Sequence, residues 1–396
     1  MKASKEGSRV KGVKGSKEFW IAECGLRNKK ISHSKISNLK SALKGILEPS
    51  NPVVIIVCIA LICILLSGCS TVTAVNPVTL KQDFMVISED KELSIGRKVD
   101  PEIVKELGYY NDPGLQAYVN EIGQKLVQVC ARRNIQYHFK VLDSPIENAF
   151  ALPGGYIYIT RGLLALLDSE SELAGVLGHE IGHVVGRDSA NLISEGLALQ
   201  LLTLGSIAAG PTGREMMQAT NMLFNSMMLG YGREKEFLAD GQGVDYLFKA
   251  GYDPQQMTVF QARLSKKGQT PIGYQQYNMT HPDIFDRMGR TAARAKVTLA
   301  MDKARDDIAE HPEGRSRYQK EGIFADEYLA HIDGIAYGPK EQIQHIKIYT
   351  AQEGDTVKSV AEKILGDPKR WREIADLNDL QPEEVIPAGT KLKIIF

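Results

Sequence analysis

The chain has no tandem repeat and no low-complexity stretch, which excludes solenoids and repeat arrays. It has no excess of one charge, since 48 Lys and Arg face 48 Asp and Glu. No apolar run reaches the ~18–20 residues that a bilayer-spanning helix needs. The longest, Val53 to Leu66, has 14. Cysteine is scarce, five in 396 residues, and that excludes a small fold stapled by disulfides. A chain of this length can bury at least one sizeable core and is expected to form two or more domains.

The even charge total hides an uneven spread. Residues 1–68 hold 12 Lys and Arg against 4 Asp and Glu, which leaves 36 against 44 in the rest. A mildly acidic body lacks the basic face that phosphate binding requires, so nucleic acid is not an expected partner. The run VVIIVCIALICILL has the length of a secretory signal's apolar region and ends in Leu66-Ser67-Gly68-Cys69. A short buried helix or an uncleaved anchor would look the same. Small residues directly before the cysteine resemble the bacterial lipobox. That resemblance implies lipidation of Cys69, a membrane partner and a periplasmic location. Ser70, where Asp would retain a lipoprotein at the inner membrane, implies the inner face of the outer membrane. The basic segment ahead of the run is long for a signal and points to an upstream start codon. Of the cysteines beyond the signal, Cys130 sits in a half-apolar helical setting and is expected to be a buried thiol.

The chemistry lies in Ser169 to Ala190, SESELAGVLGHEIGHVVGRDSA. Asp168 and Ser169 offer N-cap oxygens, and Leu173, Val176, Leu177, Ile181 and Val184 recur at helical spacing. Within this helix His179 and His183 stand four apart on one face, where both imidazoles can reach one ion. Glu180, beside them, is the candidate general base. Two His and a Glu are costly in an apolar helix unless paired or metal-bound. A third ligand is needed, and Glu236 in YGREKEFLAD supplies it. Asp240, one turn on, is the candidate acceptor for the outer N–H of His179. A solvated charged helix would fit Arg233, Glu234 and Lys235 well and Asp240 less well, since Phe237, Leu238 and Ala239 imply that this turn packs inward.

Four segments stand in order: NAFALPGGYIYITRGLL from Asn148, GHEIGH from Gly178, EFLAD from Glu236, and Thr280-His281-Pro282 with Arg287. In this order they resemble the CAAX prenyl endopeptidases and their soluble bacterial periplasmic relatives, over roughly residues 80 to 300. The resemblance implies a zincin fold, one Zn²⁺ per chain held by His179, His183 and Glu236, and His281 and Arg287 near the reacting atoms. Relatives usually show Arg-His soon after the second histidine. Here Arg187-Asp188 stands instead, a difference expected to affect only local packing. Glu180 is expected to take a proton from water and pass it to the leaving amine, with His281 or Arg287 holding the oxyanion. By the same resemblance Tyr156, Ile157 and Tyr158 form the sheet edge to which extended polypeptide adds; a plain core strand would have the same sequence. Residues 196–230 read as a buried helical hairpin or as a methionine-rich lid over the cleft.

From Lys347 the pattern becomes strand, helix, helix, strand, with GDT, Trp371, Asn378 and PAGTKLKI. It resembles a LysM module, which implies βααβ and binding to peptidoglycan, with Asp355, Thr356, Ile386 and Pro387 flanking the glycan groove. From the residues alone Trp371 is equally a core side chain. The expected organisation is an N-terminal extension and signal at 1–68, a metallopeptidase domain at 69–300, a connector at 301–346 and the LysM domain at 347–396. The fold class is α+β, mainly helical with a small sheet. The expected function is a zinc endopeptidase of the bacterial cell envelope that hydrolyses unfolded or misassembled proteins. The alternatives are a chaperone-like or scaffold protein that binds polypeptide with little proteolysis, and a wall hydrolase.

Overall fold

The structure, a computed structural model, describes residues 73–76, 78–79, 82–204, 231–267, 281–308, 322–381 and 384–396. The signal run, Cys69 and residues 205–230 of the expected hairpin or lid lie outside the described residues. Among those described, no helix is long and apolar enough to cross a membrane.

A hairpin of β1 (Thr73–Val75) and β2 (Gln82–Phe84) leads into α1 (Glu89–Leu107) and α2 (Pro113–Val127). Helix α2 begins on an Asp112 cap with Pro113 at its first position, where the N–H that proline lacks would have no partner anyway. Strands β3 (His138–Leu142), β4 (Ala149–Leu152) and β5 (Tyr156–Thr160) form a sheet in the order β3–β5–β4. Tyr156, Ile157 and Tyr158 are therefore central, not the edge that the resemblance implied. The chain turns at Gly154 and Gly155, whose φ values of 80° and 89° suit only glycine. That turn folds β4 antiparallel onto β5, while β3 covers the other side in parallel. The edge strands are β3 and β4, and β4 is the one beside the histidine cluster, with Ala149 O 3.3 Å from His281 Nε2.

Helices α3 (Arg161–Leu166), α4 (Glu170–Gly186), α5 (Asp188–Leu204), α6 (Arg233–Ala250), α7 (Gln255–Lys267) and α8 (Ile284–Ile308) follow. Ser169 caps α4 by accepting from Glu172 N, and Asp168 N donates back to Glu172 Oε2. Helix α4 is buried from Ser171 to Gly186. Its glycines set how near α6 can come. A Cβ on Gly182 would stand 2.9 Å from Ala239 Cα, and one on Gly178 would stand 3.3 Å from Gly243 Cα. This close approach brings the His179–His183 face of α4 against the Glu236–Asp240 face of α6.

The rest comprises α9 (Ala325–Ile332), β6 (Ala336–Tyr337), β7 (Gln344–Thr350), α10 (Val357–Leu365), α11 (Trp371–Asn378) and β8 (Lys391–Ile395). Strand β6, from the connector, adds a third strand to the βααβ unit in the order β6–β7–β8. Leu392 and Ile394 pack with Val360 and Ile374 in a core of the unit's own. Alternation along β8 turns Lys393 to the opposite face, where it is 1% exposed. There Nζ donates to the carbonyls of Ala165, Leu166 and Leu167 at the end of α3 and pairs with Asp168 at 2.5 Å. Asp168 and Glu172 also pair with Arg263 of α7, so the C-terminal unit is tied to the first turn of α4. The fold is α+β and mainly helical.

Candidate metal centre

Three imidazoles and a carboxylate meet between α4, α6 and the start of α8. His179, His183, Glu236 and His281 are all buried, and one ligand atom from each lies within 4.8 Å of the others. His179 Nε2 is 3.1 Å from His183 Nε2 and 3.2 Å from His281 Nδ1. Glu236 Oε2 is 3.2 Å from His281 Nδ1 and 3.4 Å from His179 Nε2, while Oε1 is 3.4 Å from His183 Nε2. A tetrahedron with zinc-to-ligand distances of ~2.0–2.1 Å has edges of roughly 3.3–3.4 Å, so these spacings suit a single zinc ion.

The outer nitrogens are each held. His179 Nδ1 is 2.8 Å from Asp240 Oδ1, His183 Nδ1 is 2.8 Å from Asp188 Oδ2, and His281 Nε2 is 3.3 Å from Ala149 O. A ring that donates outward to such an oxygen has its other nitrogen toward the centre, the arrangement that metal-ligating histidines adopt. Charge gives a second test of fit. Glu180, Glu236, Asp240 and Asp188 face two basic groups, Arg287 and Lys235, across this shell. Burial would lower the His179 and His183 imidazoles, but hydrogen bonds to Asp240, Asp188 and Glu236 outweigh it and raise both, so this carboxylate-rich shell favours positive charge at its centre. Glu180 is 0% exposed and neither carboxylate oxygen has a hydrogen-bond partner among the described residues. Among the described residues its ion-pair partner is His281, with Nε2 at 3.6 Å. An ionised carboxylate in this setting is expensive unless a ligand answers it. The donor set fits zinc.

Burial would raise the Glu236 carboxyl, but His281 and Arg287 outweigh it and hold that carboxyl well below its ordinary value. Asp240 is depressed in the same way, burial being overcome by Arg287 and by its hydrogen bonds. Both are thus anions, as a ligand and a histidine partner must be.

Three site residues stand otherwise than their sequence suggests. Arg287 is 1% exposed and its guanidinium lies between Asp240, at 2.8 and 2.7 Å, and Glu236 Oε2, at 2.8 Å. It braces the carboxylates instead of facing an oxyanion. His281, predicted as an oxyanion donor, turns Nδ1 into the donor set, and a lone histidine 98 positions beyond His183 carries no spacing that reveals this. Asp188 was expected to affect packing alone, yet it contacts His183 directly. Its position just past the helix hides the reversal that brings it back.

In the C-terminal unit the loops around Asp355 and Ile386 stand side by side, with Ile386 N donating to Asp355 O at 2.8 Å. Asp355 is buried and accepts from Tyr349 Oη and Gln352 N at 2.8 Å and from Lys363 Nζ at 2.5 Å, so it organises its loop. Ile386 is buried in the unit's core and Thr356 caps α10. Pro387 alone of the four predicted groove residues is exposed.

Comparison with known proteins adds two family matches. Residues 113–295 match the model of peptidase family M48 and residues 349–394 that of the LysM domain. The chain is 30% identical over 217 residues to the beta-barrel assembly-enhancing protease of Yersinia pestis, covering 53% of this chain and 45% of that one. It is 29% identical over 223 residues to the protein of that name from Escherichia coli (strain K12), covering 54% and 46%. Against the mitochondrial metalloendopeptidase OMA1 of Arabidopsis thaliana it is 35% identical over 163 residues, covering 41% and 32%. The chain spans about half or less of the length of these relatives. With the histidine pair, the third-ligand glutamate and the motif order all inside the first matched region, residues 113–295 form a peptidase family M48 domain, and a LysM domain follows it at residues 349–394.

Proposed function

We propose that the protein is a zinc endopeptidase of the bacterial cell envelope that cuts unfolded or misassembled polypeptides. The observation that carries this reading is Glu180, a buried carboxylate without a hydrogen-bond partner among the described residues, beside four converging metal donors. His179, His183 and Glu236 would hold the ion, which when bound supplies Lewis-acid polarisation of a scissile carbonyl and acidifies water. Glu180 accepts the proton from the attacking water and returns it to the leaving amine. Asp240 and Asp188 fix the two helix histidines, and Arg287 keeps Glu236 and Asp240 ionised and aligned. His281 completes a four-donor set, whereas a hydrolytic site keeps one position open. His281 would therefore have to move aside for substrate to be cut.

Extended polypeptide adds along β4. Asn148 O accepts from Thr160 N of β5, so alternation turns Ala149 and Ala151 to the free side. Their carbonyls take His281 Nε2 at 3.3 Å and Ser189 Oγ at 3.1 Å. A substrate N–H can replace each donor, reading backbone more than side chains. That suits unfolded chains of many sequences. The LysM unit would hold the enzyme near peptidoglycan through the exposed side of its paired loops, and Cys69 would anchor it to the outer membrane by lipid.

A chelator test checks the enzyme reading. Casein cleavage should vanish in 1,10-phenanthroline and return on adding zinc. Cleavage that survives full metal removal would refute it.

A further inference from the structure

We infer that Asp188 is a positioning residue of the metal centre: its carboxylate fixes His183 as the Nδ1–H tautomer and thereby decides which nitrogen ligates. The inference rests on the reading that His183 holds zinc.

The placement follows from the chain around it. Arg187 ends α4 in the left-handed region, at φ 56°, and its guanidinium donates to Glu92 Oε2 at 2.7 Å and Ile87 O at 3.0 Å. This reversal aims Asp188, the first residue of α5, back at the last turn of α4. Gly186 leaves the room, since a Cβ there would stand 3.1 Å from Asp188 Oδ2. Oδ2 lies 2.8 Å from His183 Nδ1, and Oδ1 lies 3.8 Å from Lys235 Nζ. Lys235 in turn donates to Asn191 Oδ1 at 2.5 Å. The side chain is 8% exposed, so little water competes for its carboxylate.

A neutral imidazole has two tautomers, and only the Nδ1–H form leaves the Nε2 lone pair facing His179 and Glu236. An ionised carboxylate can only accept, so it selects that form. Asp240 does the same for His179 from α6. The two ligating histidines of one helix are thus oriented by carboxylates from two different helices. If Asp188 served only as an acidic residue in the first turn of α5, its loss would lower stability and leave the tautomer and zinc affinity unmoved.

The test uses the full chain with zinc as the probe. Competition against a fluorescent chelator should give Asp188→Ala a zinc affinity about 10–100-fold weaker than wild type. The ¹H–¹⁵N imidazole spectrum of the zinc-loaded protein should carry a His183 Nδ1–H signal that shifts or exchanges away in the variant. If Asp188→Ala does not fold, Asp188→Asn decides, because it keeps the shape but can turn its amide N–H₂ toward Nδ1; a loss of about 10-fold is expected. Zinc affinity within twofold of wild type, with an unchanged His183 signal, would overturn the inference. His183→Ala separates this from the metal reading. If it loses zinc while Asp188→Asn does not, only the role of Asp188 fails; if it binds zinc as wild type does, the metal assignment itself fails.

Discussion

Replacing Lys393 by Met keeps the aliphatic stem and removes the ammonium that joins the LysM unit to the peptidase domain. In the wild type Nζ donates to three carbonyls at 3.2, 3.1 and 3.1 Å and pairs with Asp168 at 2.5 Å. Carbonyls at a helix end have no partner within the helix, and a side chain 1% exposed leaves no path for water to replace it. A buried acceptor left alone costs about 1–3 kcal/mol. Against this, the variant no longer desolvates an ammonium. Removing one partner of a buried pair costs about 3–5 kcal/mol. Asp168 is 44% exposed and can rehydrate, which puts this pair at the low end, roughly 3 kcal/mol. That is about a 150-fold shift in the folding equilibrium. In a domain of ~150–250 residues it corresponds to a midpoint about 6–12 °C lower. Thermal unfolding of the full chain by far-UV circular dichroism reads the change, and Trp371 fluorescence reports whether the LysM unit melts apart from the rest. A midpoint within about 1 °C of wild type would refute the reasoning.

Other outcomes follow from the same contacts. Arg287→Met leaves Asp240 and Glu236 facing each other without their shared cation and should destabilise the metal-free protein by about 3–5 kcal/mol in urea titration. The loss should shrink once zinc binds Glu236. His281→Ala opens the donor set and frees Ala149 O, so casein turnover should rise; a fall would return His281 to the oxyanion role. Glu172 supplies a pH dependence. Burial, only partly offset by Arg263, raises its carboxyl to about 7. Between the unfolded value near ~4.5 and about 7, the native state holds a proton that the unfolded state has lost, so stability falls as pH rises through that window. Glu172→Gln should flatten the slope, and urea midpoints at both ends of the window check it.

Much of the centre was legible because helices carry their neighbours at fixed spacing. His179, Glu180 and His183 are read from one turn of α4, and Glu236 with Asp240 from one turn of α6. What escaped depends on chain reversals. Asp188 returns to His183 through a left-handed Arg187, a conformation that no pattern in GRDSA signals. Ala149–Leu152 has only four residues and little β-branching, so the edge strand hid beside the stronger signal of Tyr156–Thr160. The LysM pattern marked its helices and closing strand, but alternation could not say that the outward Lys393 meets another domain. Cys130 is buried, as its half-apolar setting implied, but it lies in a bend past the end of α2 and not within a helix.

The most direct test of the account is casein cleavage by wild type and Glu180→Gln, each first shown to hold one zinc. Glutamine keeps the shape of the carboxylate and cannot take the proton from water. Cleavage should be lost in the variant and retained in wild type at equal zinc content. Cutting at near wild-type rate by Glu180→Gln would contradict the central claim, because the buried carboxylate would then have no part in the reaction.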